Sequence, residues 1–447
     1  MTDRQAASRR RFLAGIGAAS MTVAAGCTDV SIGGDDGPTR FSPAEVEPIL
    51  EESRPEVDRP TPIEPDEDAI SRAIERVDDL LADVPDPVGV EAVPNGVVRE
   101  SIDRRRESAT ADRADALEPP ESNYRALRVA VPGARESARA AAATLSAVDV
   151  DPDLDDLAAE HDEAQSIVED RLEAIEYRGD DTDDGRLRAA LVAADLEDDL
   201  VSARRTVDRW RVSEHTNVVD LGEAFGDVEF VAATVDAWDH LTARFDEGAG
   251  DADLEPAFAD TLETSIADAE LVDLPEQGES DWLDELVEGE LEMGFPQTLL
   301  WDAVRPVYNA RDRMTDARED GRLGTGLAAA TRFEQELRAF RTVRDRFEDG
   351  DLETPESIDE VRAEREAAIE AAESAISEFT TPTLTSARLA ETLQSFEWTD
   401  GRIQRDADRD PDSRVSVSGE YSEYACLRAR FDALPDAAET VRSRLLE

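Results

Sequence analysis

The chain has 447 residues, of which 107 are acidic and 48 basic, giving a formal charge of −59. So negative a surface repels a phosphate backbone, which excludes nucleic-acid binding by the usual electrostatic route. Two cysteines are too few for a disulfide framework, and a 40% hydrophobic content is enough to build a buried core.

At the start of the chain, Ser8-Arg9-Arg10-Arg11-Phe12-Leu13 leads into an uncharged run from Leu13 to Ala25 that stops at Gly26-Cys27. A run this short falls below the roughly 20 apolar residues a spanning helix needs, so a cleaved leader is favoured over a transmembrane anchor. The order resembles a twin-arginine export signal joined to a lipoprotein box. Arg9, Arg10, Phe12 and Leu13 match the export pattern and Cys27 the lipidated position, while Ala24 stands where such boxes usually carry Leu or Val. The resemblance implies that residues 1–26 are removed and that the mature protein is exported. It would then be held on the outer face of the cytoplasmic membrane by a lipid on Cys27. The chain also contains no lysine, and its acidity, its arginines and its many alanines together resemble exported lipoproteins of halophilic archaea. At 1 M salt the Debye length is only about 3 Å, so charge repulsion within such a chain is screened.

Residues 27–65 follow as a tether rich in proline, glycine and acids, with Pro38, Pro43, Pro48, Pro55, Pro60, Pro62 and Pro65. Flexible, such a segment spans about 35 Å; Phe41, Ile49 and Leu50 offer points at which it can dock. From Asp66 onward apolar residues recur at steps of three and four, which predicts an all-α, multi-helix bundle with coiled-coil-like stripes. One stripe is Leu196, Leu200, Ala203, Val207 and Trp210, and another is Val228, Val231, Val235, Trp238 and Phe245. A third runs from Leu323 through Phe333 and Phe340 to Phe347. Breaks are expected at 178–185, 247–253, 273–280, 348–355 and 399–419, where Gly or Pro accompanies Asp. Pro435 should kink or split the last helix at Leu434, and Val415 with Val417 marks a possible short strand. A body this long suggests two packed helical subdomains, 66–250 and 251–447.

Few residues carry chemistry. His161 falls on the stripe Leu154, Leu157, Ala164, Val168, Leu172 and Ile175, which predicts a core histidine with a hydrogen-bond partner. His215 and His240 flank the segment holding Trp210 and Trp238, and could form an acid/base or metal site only by meeting across helices with Asp236 or Asp239. Gly324-Thr325-Gly326 followed by Ala329 spells the dinucleotide fingerprint, but a charged helical run precedes it instead of a buried strand, so a turn between helices is expected. Asp406, Asp408, Asp410 and Asp412 alternate as calcium ligands do, and so do Asp149, Asp151, Asp153 and Asp155 with Glu160 at the twelfth position. Both runs lack the sixth-position glycine, and Ca2+ at 406–412 is the single cofactor expectation. Cys426 reads as a buried apolar residue.

The function favoured by location and motif content is a non-catalytic, surface-anchored helical lipoprotein. Its expected role in the cell envelope is to bind an unknown protein or small-molecule ligand, or to be structural, with no nucleic-acid partner. The first alternative is the substrate-binding lipoprotein of an importer, and the second an extracellular helical enzyme with a site near Trp210–His240.

Overall fold

In the computed structural model the described residues run from 39 to 446, apart from 120–121, 151–152, 214, 278–281 and 288–290. The export residues Arg9, Arg10, Phe12 and Leu13, the lipidation position Cys27 and Asp151 lie outside the described residues.

The periodic segments fold as helices. In the first half these are α1 (Glu67–Leu81), α2 (Gly96–Leu117), α3 (Val131–Asp149), α4 (Leu154–Glu173), α5 (Asp183–Val207) and α6 (Val218–Gly248). The second half adds α7 (Glu255–Glu270), α8 (Phe295–Glu319), α9 (Leu323–Glu348), α10 (Ile358–Glu378), α11 (Leu384–Ala407) and α12 (Ser418–Leu446). Side-chain caps set their starts: Asn95, Asp153, Thr182, Asn217, Ser357 and Thr383 each accept a hydrogen bond from the first-turn backbone. Among the described residues strand is sparse: β1 (Arg178–Gly179) pairs antiparallel with β2 (Ala252–Asp253), Phe41 bridges to Val415, and Gln277 is a further isolated bridge residue. No helix among the described residues is long and apolar enough to cross a membrane.

The stripes meet as their periodicity requires. Leu200, Ala203 and Val207 of α5 pack against Val228, Val231 and Val235 of α6, with Ala164 and Val168 of α4 closing the layer. α6 also lies close along α3, and Gly222 permits this: a Cβ there would sit 1.9 Å from Thr144 Oγ1 and 2.8 Å from the Ala140 carbonyl. In the second half α9 and α12 are central, and α9 is buried on nearly every face from Leu323 to Val343. The main core is continuous through both halves, from Ala189 and Leu241 to Leu262, Phe333 and Phe431, and residues 38–447 form one unit. The expected division at 247–253 falls where α6 ends and the chain passes through β2 to α7.

Two local expectations are corrected and a third is extended. Pro435 lies inside α12, which is not split and continues to Leu446; Leu434, Ala437 and Val441 are buried on both sides of it. The break expected from Thr399 instead begins after Ala407, because Asp400 is tied to Arg365 and Tyr424 and Ile403 is buried, so Gly401 is carried within α11. The tether is docked over its second half. Phe41 exchanges two backbone hydrogen bonds with Val415, Ile49 and Ile63 are buried, and the carbonyls of Glu52 and Pro62 accept from Arg365 and Arg188. Phe41 and Ile49, two of the docking points the sequence offers, are both buried, and Ile63 extends the contact.

Where α2, α3 and α6 meet, burial first, and then the neighbouring Glu136 and Glu223, push Asp227 up to about 6. Its folded pKa therefore exceeds the unfolded value of about 3.9. The stability this group contributes is present below pH 4 and lost as pH rises through 6. Asp227→Asn should be the more stable protein at pH 7, with the gap closing as pH falls toward 4, as thermal denaturation of both proteins across that range would read.

Candidate functional site

The facing stripes of α5 and α6 do not close completely. Past the end of α4 they leave a cleft of about 450 Å3 whose walls are Val192, Leu196 and Leu200 on α5 and Val235, Trp238 and Phe245 on α6. Ile175, Tyr177 and Arg178 form its end. That volume lies within the roughly 300–1,000 Å3 of small-molecule sites, which are mostly apolar with a few fixed polar groups.

Trp238 is the best-anchored wall. Its indole N–H donates to Asp199 Oδ2 at 2.9 Å, and its ring stands edge-on to Tyr124 with centroids 6.3 Å apart. The Arg128 guanidinium lies over both rings, 5.2 Å from Trp238 and 5.0 Å from Tyr124, while its Nε donates to the same Asp199 oxygen at 2.6 Å. Tyr124 in turn donates to Asp195 at 2.8 Å. Burial keeps the Asp195 carboxyl above its ordinary range although Arg128 opposes it. This paired network fixes the indole without placing a charge in the cleft. At the mouth Arg171 donates to Asp239 at 2.8 Å, linking α4 to α6, and Thr242 adds a hydroxyl. The arrangement offers apolar contact and a polar rim.

The cleft adjoins a second polar cluster that joins the two halves. Glu197 of α5 is fully buried at 0% exposure. It accepts the backbone N–H groups of Gly324 at 3.0 Å and Thr325 at 2.6 Å, and the Tyr177 hydroxyl at 2.7 Å. The N-terminus of α9 thus receives a carboxylate from another helix, favoured by the open amides and the helix dipole. Burial still raises the Glu197 pKa, outweighing those hydrogen bonds. The glycines of the fingerprint have a packing role here. A Cβ on Gly324 would lie 2.4 Å from the Ala194 nitrogen, and one on Gly326 2.4 Å from a Leu262 methyl.

Other predicted residues fall as follows. His161 is buried, 3.0 Å by Nε2 from the Val207 carbonyl, with its ring 4.2 Å from that of Trp210, which makes it a core histidine. His215 sits exposed in a turn, whereas His240 lies on α6 and its Nε2 accepts the Asp66 N–H at 3.2 Å. The structure does not bring the two together; His240 shares a cavity with Asp236 alone of the expected carboxylates. Cys426 is buried, and its burial pushes the thiol well above its ordinary range.

The aspartates at 406–412 do not converge. Asp406 still belongs to the last turn of α11 and pairs with Arg409 at 2.8 Å, Asp408 accepts from Gln404, and Asp410 accepts the Asp412 N–H. Alternation produces a cage only in a loop, and this run begins on a helix. Asp153 likewise caps α4 by accepting from Asp155 and Asp156. Among the described residues no three His, Cys, Asp or Glu side chains are grouped as a metal centre requires.

The cleft was not singled out in the sequence. The signal that could have found it is Trp238 itself, an indole on a stripe with Asp199 on the facing helix. The Arg128–Asp195–Asp199 network offered none, since acids are everywhere in this chain.

Residues 68–251 match the family model described as Domain of unknown function (DUF8262), and residues 255–443 match Domain of unknown function (DUF8264). The cleft lies within the first segment, and the Glu197 contact joins the first segment to the second. No curated protein and no solved structure matches the chain.

Proposed function

We propose that the protein is a surface-anchored lipoprotein of a halophile's cell envelope that binds a small, uncharged, largely apolar molecule in the cleft between α5 and α6. The observation that carries this reading is a preformed apolar cleft of about 450 Å3 whose indole wall is immobilised by a fully paired ionic network. Pre-organised walls cut the ordering cost of binding. An uncharged occupant is favoured because Arg171 and Arg178, the cations of the rim, already pair with Asp239 and Glu176. The twin-arginine pattern and Cys27 support placement outside the cytoplasmic membrane, and the acidic, lysine-free composition supports molar salt.

Two variants test the parts separately. Cys27→Ser should release the protein into the medium; membrane retention of that variant defeats the anchor. Native mass spectrometry of the protein taken from envelopes should show a bound small molecule that is absent from Leu196→Trp, whose indole fills the cleft. Equal occupancy in both proteins, or none in either, defeats the binding site.

A further inference from the structure

Across α6 from the apolar cleft lies another cavity, of about 340 Å3, walled by α1, α3 and α6. Its charged lining is Arg72 and Arg76 of α1, Arg135 of α3 and Asp236 of α6, with His240 beside them. With the buried Glu229 behind them counted, three arginines meet two carboxylates, the reverse of the chain as a whole, where acids outnumber bases by more than two to one. It is also the reverse of the apolar cleft, where Arg171 and Arg178 face Glu176, Asp239 and Asp246.

Two of these arginines are already engaged. Glu229, at the base, accepts from Arg76 Nε at 3.2 Å, Arg76 Nη2 at 3.0 Å and Arg135 Nε at 2.8 Å, and Arg135 Nη1 donates to Asp236 at 2.8 Å. Burial raises the Glu229 pKa, but Arg76 and Arg135 outweigh it and hold the carboxyl below its ordinary range. Arg72 is different. It makes no hydrogen bond or ion pair with any described residue, in a protein with 107 acids to choose from. His240 has a donor to spare as well. Because its Nε2 accepts the Asp66 N–H, the ring proton of the neutral form resides on Nδ1. Burial lowers its pKa, which keeps the ring neutral. The remaining wall is apolar, built from alanines of α1 and α6 with Leu127 and Val131.

We propose that this cavity binds a small organic carboxylate with an apolar body, the carboxylate held by the Arg72 guanidinium and His240 Nδ1–H and the body lying against Leu127 and Val131. A guanidinium fork matches a carboxylate in two parallel hydrogen bonds, the strongest use of an unpaired arginine. Arg76 and Arg135 line the cavity beside it with their charges balanced by Glu229 and Asp236, so the unbalanced cation is Arg72. The site is separate from the apolar cleft and does not depend on what binds there.

Benzoate is the probe, with benzamide as its uncharged isostere, each titrated calorimetrically into the full chain at molar salt. Saturable binding of benzoate with benzamide at least about tenfold weaker is expected, since a hydrogen-bonded charge is worth about a factor of ten or more. Arg72→Gln, an exposed side chain whose loss leaves no partner behind, should weaken benzoate by a similar factor. Leu196→Trp, which fills the apolar cleft, should leave benzoate binding unchanged. Equal binding of both probes, no binding of benzoate, an unaltered affinity in Arg72→Gln, or loss of binding in Leu196→Trp would each overturn the assignment.

Discussion

Glu336→Leu should destabilise the protein by up to about 3–5 kcal/mol, because it removes the buried carboxylate that Arg388 and Arg430 share and leaves them only the more exposed Glu391 and Glu423. Glu336 is 1% exposed, lies between Arg388 and Arg430, and accepts from both guanidinium groups, Arg430 Nε at 2.9 Å. Burial alone would raise its pKa, but Arg430 and Arg388 hold it below the ordinary carboxylate range. Gln335 completes the arrangement by accepting from Arg388 and donating to the Arg430 carbonyl at 2.9 Å. The cost belongs to the broken group of charges and not to the pair as such. Replacing Glu336, Arg388 and Arg430 together by leucine and two methionines should therefore recover most of the loss. Chemical denaturation of the three proteins at constant molar salt would read this, and a triple variant as unstable as the single one would refute the account.

The second large effect is expected at the contact between α5 and α9. Glu197→Ala removes the acceptor of two backbone amides, while the Tyr177 hydroxyl, which accepts the Leu323 N–H at 3.0 Å, loses its carboxylate and keeps the Gly321 carbonyl at 3.0 Å. Each buried donor left unsatisfied costs about 1–3 kcal/mol, which places the total near 3–5 kcal/mol with partial relaxation. Gly324→Ala attacks the same contact by volume. Its Cβ meets the backbone of Ala193 and Ala194 at 2.5 and 2.4 Å, and the helices must separate, at about 1–3 kcal/mol or more. The two changes share one interface and should not add, so a double variant is expected to lose less than their sum. Equilibrium unfolding of the singles and the double measures that coupling; strict additivity would mean that the cap and the close approach act independently.

Much of the helical architecture was legible because burial follows a 3.6-residue period. Leu200, Val207, Val228 and Val235 announced their faces, and those faces meet. His161 on its stripe could be read for the same reason, whereas Gly324 to Gly326, expected as a turn between helices, form the first turn of α9. Polar pairing was not legible. With about one residue in four acidic, a carboxylate such as Glu197 or Glu336 looks no different from its solvated neighbours, since periodicity records apolar burial and is silent on which charges are enclosed. Nor does the spacing of Asp406 to Asp412 reveal that a helix carries its first member, since spacing along the chain is not distance in space. Arg72 could not be recognised as unpaired without knowing which acids face it. Pro435 does not split α12, since proline's effect is local and buried residues on either side of it pack into the core.

The seating of residues 41–63 bears on the order in which the protein is made. Phe41 is translated long before its backbone partner Val415, and Arg186 long before Leu445, whose carbonyl it reaches. The ribosome must therefore release the stretch from 42 to 415 before the Phe41 bridge can be locked down. Until then that leading stretch stays available to whatever handles nascent chains.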